Sequence, residues 1–341
     1  FFRQSDRPDM ALQYDQAAID LDPRQDQYYL YQAMDLQRLI WSLKDAVQQQ
    51  QVLNNFGLVA LQAQALNPLA TDHSANLARV YQTWWQLAKT PEEREEKADL
   101  ALYYHNAATK LSPNNVLLWN QWAQFLISIG EFEAAEEKIE RSLEIDERFV
   151  ETWIVKANLY ASQNAITKTI QTYERVLEIN PNKSDVWLRV GDAYMYQGLI
   201  TDAIESYEQA LEIKPRLRDA WLRLGDANMR RNELEEAARA YERALALNSE
   251  QAQVWRVLGS IYAQLNRPGE AIAALQRALE LAPDSSDAWD THRMLAVMYS
   301  QLGQNDAALE HAQAALDLAP EGQQSNLQAL VEQLQASSEP E

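Results

Sequence analysis

Short apolar stripes alternate with polar faces along most of the chain, and their spacing predicts a protein built of helices. In the segment Ser184–Leu217, apolar or small residues recur three or four positions apart over Trp187–Tyr194 and again over Ala203–Ala210. This is the period of an amphipathic helix that buries one side. Pro215 cannot continue the second helix, so the segment predicts two helices followed by a turn.

The same pattern returns at a fixed interval. Six tryptophans are spaced 34 residues apart, at Trp119, Trp153, Trp187, Trp221, Trp255 and Trp289. A fixed period of this size is typical of a chain made of stacked helical units. Small residues such as Gly191 and Ala203 recur with the tryptophans and predict positions where two helices approach closely. We interpret the tryptophans as packing residues between helices, since they share a stripe with Val190 and its equivalents.

These residues resemble the tetratricopeptide repeat family, whose pattern is W-x2-L-G-x2-Y…A-x3-F…P. The match is strong over residues 116–285, although Lys156 replaces the leucine, Asn228 replaces the tyrosine, and Glu147 and Ser249 replace the proline in single repeats. The resemblance implies an all-α fold, a superhelical solenoid of antiparallel helix pairs. It also implies that the first helices of the pairs line a concave groove.

The repeats are less regular toward both ends of the chain. We predict irregular repeats beginning with a half-repeat over residues 1–115, regular 34-residue units over 116–285, and a last repeat with a C-terminal helix over 286–341. One N-terminal unit is about eleven residues too long, with the surplus in Lys89–Lys97. A local insertion is predicted around Asp290–Arg293. The whole chain predicts about eight helix pairs.

The two ends carry unpaired halves of a repeat. Pro8–Leu21 is a second helix without its first helix, and a lone first-type helix follows Pro320. One interpretation is a solvating C-terminal cap and an accidental N-terminal half-repeat. The other is head-to-tail self-association into a filament or tube, because the two halves would complete one repeat across a molecular boundary. The apolar faces expected to be exposed for that contact comprise Met10, Leu12, Ala17, Ile19, Leu327, Leu330, Val331 and Leu334.

Composition narrows the class of partner. A net charge of −20 argues against nucleic acid, whose recognition requires a basic surface, and against an anionic membrane surface. The chain has no cysteine, which excludes disulfides and thiolate metal sites. Its apolar stretches are shorter than the ~20 residues that span a bilayer, so no direct membrane insertion is expected of this part of the protein. The expected partner is a protein or peptide.

The sequence offers little that could carry catalysis. The four histidines, His73, His105, His292 and His311, show no metal-ligand spacing and are expected to be surface or packing residues. Phosphate-binding loops, nucleophile elbows and HExxH motifs do not occur. Asp192 and Asp226 occupy the same place in consecutive repeats, which repeat periodicity alone explains. We therefore predict a non-enzymatic protein with no catalytic residue, no cofactor and no bound metal.

The resemblance also implies which residues line the concave groove of the first helices. They are Asn120, Gln124, Ile154, Asn158, Leu188, Asp192, Leu222, Asp226, Met229, Arg256 and Ser260. Relatives that capture a C-terminal carboxylate carry Lys and Asn at these places, whereas this groove mixes apolar and acidic groups. A peptide with apolar anchors and basic flanks, bound in extended or helical form, suits it better.

A second, shorter resemblance concerns Ala65–Trp84. It is similar to the start of the extracytoplasmic repeat tail of some bacterial O-antigen ligase and polymerase-like membrane proteins, which transfer glycans. This resemblance implies an accessory tail and an extracytoplasmic or extracellular location, with the cytoplasm as the alternative. The chain begins at Phe1-Phe2 without Met, which fits either a trimmed chain or a fragment of a longer protein. The sequence therefore leaves three functions open: a peptide-binding module, a self-assembling protein, and the accessory tail of a membrane enzyme.

Overall fold

The structure is a computed structural model that describes residues 8–338, so Phe1 and Phe2 lie outside the described residues. The chain divides into two compact units, Phe1–Ile179 and Asn180–Glu341. Within its described residues the first unit contains α1 (Pro8–Leu21), α2 (Asp26–Ser42), α3 (Ala46–Leu66), α4 (Thr71–Leu87), α5 (Pro91–Leu111), α6 (Val116–Ser128), α7 (Phe132–Ile145), α8 (Val150–Ser162) and α9 (Ile166–Ile179).

The second unit continues the same alternation. Up to residue 338 it contains α10 (Ser184–Gln197), α11 (Ile200–Ile213), α12 (Arg218–Arg230), α13 (Leu234–Leu247), α14 (Ala252–Gln264), α15 (Pro268–Leu281), α16 (Ala288–Gln301), α17 (Asn305–Leu318) and α18 (Glu321–Ser338). Each even-numbered helix from α2 to α16 packs most closely on the helix that follows it. The predicted all-α fold of paired helices is therefore confirmed, with α1 preceding the eight pairs and α18 following them.

The turn inside each pair from α6–α7 to α14–α15 contains one residue with a left-handed backbone. Gly130 and Gly198 have φ angles of 85° and 78°, and in other repeats Asn164, Asn232 and Asn266 occupy the same place with φ between 56° and 61°. Asparagine is the residue after glycine that best tolerates this conformation. These positions are again 34 residues apart, so the turn is part of the repeat even where its residue type changes.

The periodic tryptophans of α6, α8, α10, α12 and α14 connect each of these first helices to the turn before it. The indole Nε1–H of Trp187 donates to the carbonyl oxygen of Pro181 at 2.9 Å, and Trp221 makes the same bond to Pro215 at 2.9 Å. Trp153 donates to the carbonyl of Glu147 at 2.8 Å, although that repeat lacks the proline. The acceptor is a backbone group, which explains why loss of the proline side chain leaves the contact intact.

The irregular segments differ from the sequence prediction in where their extra residues lie. The surplus at Lys89–Lys97 is mostly helical, because α5 begins at Pro91 and runs for 21 residues against 14 in α11. Residues Asp290–Arg293 lie within the regular helix α16, so no insertion occurs there. The extra length falls in the turn between α15 and α16, at residues 282–287.

The prediction of an exposed apolar face on the last helix is wrong. Leu327, Val331 and Leu334 are 1%, 3% and 3% exposed, and with half-buried Leu330 they pack against α16 and α17. The remaining faces of α18 are polar and rich in glutamine, so this helix covers the end of the repeats as a solvating cap. A single helix can bury its whole apolar stripe against the preceding helix pair, so burial of that stripe does not require a second molecule.

The N-terminal helix shows a similar correction. Ile19 is 7% exposed and joins the core cluster of α2 and α3, and Leu12 packs against the same cluster. Met10 is half-buried, and only Ala17 of the four predicted contact residues is exposed. Because α1 packs on α2, most of its predicted contact residues are already used inside the chain.

Candidate functional site

The first helices of the second unit present a row of side chains that repeats from helix to helix. Leu188 and Asp192 lie one turn apart on α10, and Leu222, Asp226 and Met229 follow the same spacing on α12. Residues three or four apart share a helix face. The leucines and the methionine are half-buried, whereas Asp226 is exposed. The row therefore combines partly accessible apolar groups with a carboxylate.

The carboxylate of Asp192 is engaged from two sides. Its Oδ1 accepts a hydrogen bond from the Tyr207 hydroxyl at 2.9 Å and an ion-pair hydrogen bond from Arg223 Nε at 2.6 Å. Burial and the neighbouring carboxylate raise the pKa of Tyr207 above its usual range, so the hydroxyl keeps its proton. Asp192 thus joins α11 and α12 to α10, and its charge is compensated by Arg223.

Asp226 makes a simpler contact. Its Oδ1 accepts a short hydrogen bond from the Tyr241 hydroxyl, whose pKa burial likewise raises. Since Asp226 is exposed and Asp192 is paired with arginine, the two equivalent aspartates differ in the charge they present to a partner. Their shared position follows from the repeat, whereas this difference depends on Arg223, which the sequence prediction did not identify.

The two groove residues on α14 are both tied to their surroundings. Arg256 lies 3.5 Å from the carboxylates of Asp287 and Asp290. Asp287 immediately precedes α16, and Asp290 lies in its first turn. The hydroxyl of Ser260 donates to the carbonyl of Val257 at 2.8 Å. Both side chains are therefore engaged within the chain, and they offer a partner less than α10 and α12 do.

In the first unit, one predicted groove residue belongs to the core. Asn120 is 4% exposed, and its Nδ2 donates to Thr152 Oγ1 at 2.9 Å. Thr152 in turn shares a 2.9 Å hydrogen bond with Ser142. The prediction that Asn120 lines an accessible groove is therefore wrong, because this polar chain links α6, α7 and α8 in the interior.

The other groove residues of the first unit remain at the surface. Gln124 is exposed and Ile154 is half-buried. Asn158 accepts a hydrogen bond from the Tyr173 hydroxyl at 3.0 Å, the same contact that Asp192 and Asp226 make one and two repeats later. The tyrosine of the second helix thus fixes one groove side chain in three consecutive repeats.

Two histidines are packing residues, as predicted. His73 is 2% exposed, and its Nε2 lies 2.8 Å from Asp26 on α2. His105 is also 2% exposed and occupies the A-x3-F aromatic position of its repeat, four residues after Ala101. Its ring stacks on Trp122 with centroids 6.3 Å apart.

The surroundings of His105 keep it neutral. Phe125 stacks on the ring at 5.9 Å, and Gln82 Nε2 lies 2.6 Å from the ring Nε2. Burial, with a smaller contribution from the positive charge of Arg79, lowers the pKa of His105 from 6.5 to about 3. The imidazole therefore carries no charge at neutral pH.

This shift predicts a specific acid sensitivity. Because the folded pKa of about 3 lies below the unfolded value of 6.5, the unfolded chain binds one more proton between those limits. The free energy of unfolding should fall by about 1.4 kcal/mol per pH unit as the pH drops through this range. His105→Phe, which restores the A-x3-F residue, should remove this component. Urea titrations from about pH 7 to pH 5 measure it, and parallel curves for the two proteins would contradict the assignment.

His292 and His311 form a pair that the sequence prediction missed. They lie 19 residues apart, on α16 and α17, and their Nδ1 atoms are 2.9 Å apart. Tyr299 stacks on His311 with centroids 5.4 Å apart, and burial lowers the pKa of both histidines. The sequence could have indicated this histidine pair only through the expected pairing of α16 with α17.

Among residues 8–338, the side chains do not assemble three or more potential metal ligands at any place. None of the helices in that range has the length and apolar character needed to cross a membrane.

A family model describes more than half of the chain. Residues 138–340 match the model of the Cilia and flagella-associated protein 70 C-terminal domain, a tetratricopeptide repeat domain. Comparison with curated proteins gives no match. The short resemblance of Ala65–Trp84 to O-antigen ligase tails gains no support from these comparisons, and in the structure that segment is the end of α3 followed by the ordinary first helix α4.

Several solved structures are similar to part of the chain. The MamA protein is 25% identical over 52% of this chain and 94% of its own, with a TM-score of 0.45, and a second MamA structure is 27% identical over 48% and 93% with a TM-score of 0.43. YrrB, described as a TPR protein with an unusual peptide-binding site, is 18% identical over 55% and 96% with a TM-score of 0.47.

Proposed function

Since the chain belongs to the family of the Cilia and flagella-associated protein 70 C-terminal domain, we propose that it is a non-enzymatic scaffold for protein–protein interaction. Its binding surface is the first-helix face of α10 and α12. The observation that supports this choice is the row of half-buried Leu188, Leu222 and Met229 beside exposed Asp226. Partly accessible apolar groups flanked by a carboxylate suit a peptide better than a small polar substrate.

The charge of this surface refines the expected ligand. Asp192 is compensated by Arg223, so it gives little attraction to a basic residue. Asp226 is exposed and can meet one cation. We therefore expect a segment of a partner protein with two or more apolar anchors and a single basic residue, in place of the fully basic flanks expected from the sequence.

Selected peptides can test this ligand class. Peptides would be chosen from a random library on the wild-type protein, and their Kd values measured by fluorescence anisotropy. Leu222→Ala combined with Met229→Ala should raise Kd about tenfold or more, since loss of ~1.4 kcal/mol is a tenfold change. Asp226→Asn should weaken only the peptides that carry a basic residue.

Leu318→Ala is the matched control, because Leu318 is 54% exposed on the second helix α17. It should leave Kd unchanged. Failure to select any peptide, or equal weakening by Leu318→Ala and by the Leu222/Met229 double variant, would refute this surface. Circular dichroism melting of each variant would confirm that the fold is retained.

Head-to-tail self-association is not part of this proposal. It was argued from apolar faces at the two ends, and Ile19, Leu327, Val331 and Leu334 are buried within the chain.

A further inference from the structure

Helix α3, like the shorter helix α6, carries no charged side chain. Its 21 residues, Ala46–Leu66, include no Asp, Glu, Lys, Arg or His, whereas 23% of the whole chain is charged and the net charge is −20. Its polar residues are glutamines and asparagines. The surface of this helix is therefore neutral on an otherwise acidic protein.

Six of the exposed residues of α3 form a stripe with coiled-coil spacing. They alternate in steps of four and three residues, the period at which one helix meets another along a seam. The stripe comprises Val47, Gln51, Asn54, Leu58, Leu61 and Ala65, all of which are exposed. Val47, Leu58 and Leu61 are 66%, 67% and 40% exposed. The opposite side of the helix buries Leu53 and Phe56 in the core, so the stripe is a second apolar face beyond what the repeat requires.

We propose that α3 pairs with α3 of a second copy of this chain, antiparallel across a twofold axis. The steps from Asn54 through Leu58 and Leu61 to Ala65 are four, three and four, which read the same in both directions. In this register Leu58 of one copy meets Leu61 of the other, and Asn54 meets Ala65. The four leucines form the centre of the contact.

Charge favours a second copy as the occupant. Two molecules of net charge −20 repel one another most where their acidic surfaces meet, and the uncharged α3 is a place where they can approach at lower cost. A strongly basic partner would gain no ion pair on α3 and would prefer the acidic helices. The same patch is used by both molecules, so the contact closes as a dimer and does not propagate.

The expected dimer is weak. In the proposed register the two copies of α3 overlap over residues 53–66, a length of about 21 Å, and one seam of this length buries less than a standard interface. Association should therefore depend on concentration. This surface belongs to the first unit and the proposed peptide surface, on α10 and α12, belongs to the second, so the two proposals can fail independently.

Sedimentation velocity of the full chain over a concentration series tests the contact. The wild type should shift from monomer to dimer, and Leu58→Glu combined with Leu61→Glu should raise the dimer Kd at least tenfold by placing four carboxylates in the seam. Leu69→Glu is the matched control, because Leu69 is 78% exposed but lies in the turn after α3. A wild type that stays monomeric, or a dimer unaffected by the double variant, would overturn the proposal.

Disulfide trapping tests the register without depending on affinity. The chain has no cysteine, so each single variant carries one thiol. A mixture of Asn54→Cys and Ala65→Cys should give a mixed disulfide under mild oxidation, because these residues face each other across the twofold axis. Asn54→Cys alone should cross-link at least several-fold less, since its two copies lie about 16 Å apart along the helix axis. Equal cross-linking in both samples would refute the antiparallel register.

Discussion

Gly191→Ala should lower the free energy of unfolding by about 2–3 kcal/mol, because the core has no room for one methyl group. A Cβ built at this position would lie 2.4 Å and 2.6 Å from two ring carbons of Tyr207. Tyr207 is 1% exposed, and its hydroxyl is held by Asp192, so the ring cannot move aside without losing that bond. The close approach of α10 and α11 thus depends on the absence of a side chain.

Gly57→Ala provides the matched control. Gly57 also lies in a helix, but an added Cβ would meet its nearest neighbour, Trp84, at an ordinary 3.5 Å. This change should stabilise the protein by up to about 1 kcal/mol, since alanine is the better helix former. Urea unfolding of the two variants compares them directly. If both substitutions shift stability by the same amount, the steric account of Gly191 is wrong.

The regular part of the fold could be predicted because each repeat uses the same residues for the same contact. Trp187, Gly191 and Tyr207 recur at fixed spacing, and the structure shows that they pack against one another or bond to the backbone. Such a pattern is visible in sequence because a bulky or absent side chain is required at one place. The turn residues were harder to recognise, since both glycine and asparagine adopt the left-handed conformation.

The ends could be predicted in helix type but not in packing. The stripe of α18 identifies it as a first-type helix, yet the same stripe fits burial against α17 or against another molecule. Periodicity records which side of a helix is apolar and contains no information on what covers it. The exposed stripe of α3 was not recognised in the sequence for a related reason. Its leucines are interspersed with residues of the same helix that pack in the core.

The sequence pattern places the candidate side chains on the first helices but does not identify their ion-pair partners. The row of Leu188, Asp192, Leu222 and Asp226 follows from the repeat, whereas the pairing of Asp192 with Arg223 depends on side-chain reach between neighbouring helices. Arg223 occupies a place that is not fixed by the repeat pattern. Partners that vary from unit to unit leave no periodic signal, which is why the charge of the surface required the structure.

Trp221→Ala should lower the free energy of unfolding by about 3 kcal/mol. This value is toward the lower end of the range for aromatic truncations, because the ring is half-buried. The indole packs against the cluster formed by α10, α11 and α12, and its Nε1–H donates to Pro215 at 2.9 Å. Truncation removes both contributions at the junction between two repeats. Hydrogen exchange should then increase in α11, α12 and α13, since each repeat is stabilised mainly by its neighbours.

Trp221→Phe separates the two contributions. Phenylalanine keeps most of the apolar packing and loses the donor, so it should cost only about 1–2 kcal/mol, with the lost hydrogen bond to the Pro215 carbonyl as the larger part. The amides of α2 to α5 serve as an internal reference and should exchange at wild-type rates in both variants. An unfolding midpoint for Trp221→Ala close to that of the wild type would show that the indole contributes little, and the periodic tryptophans would then need another explanation, such as contact with a partner. A graded loss, alanine greater than phenylalanine and confined to adjacent repeats, would establish them as the residues that couple one repeat to the next.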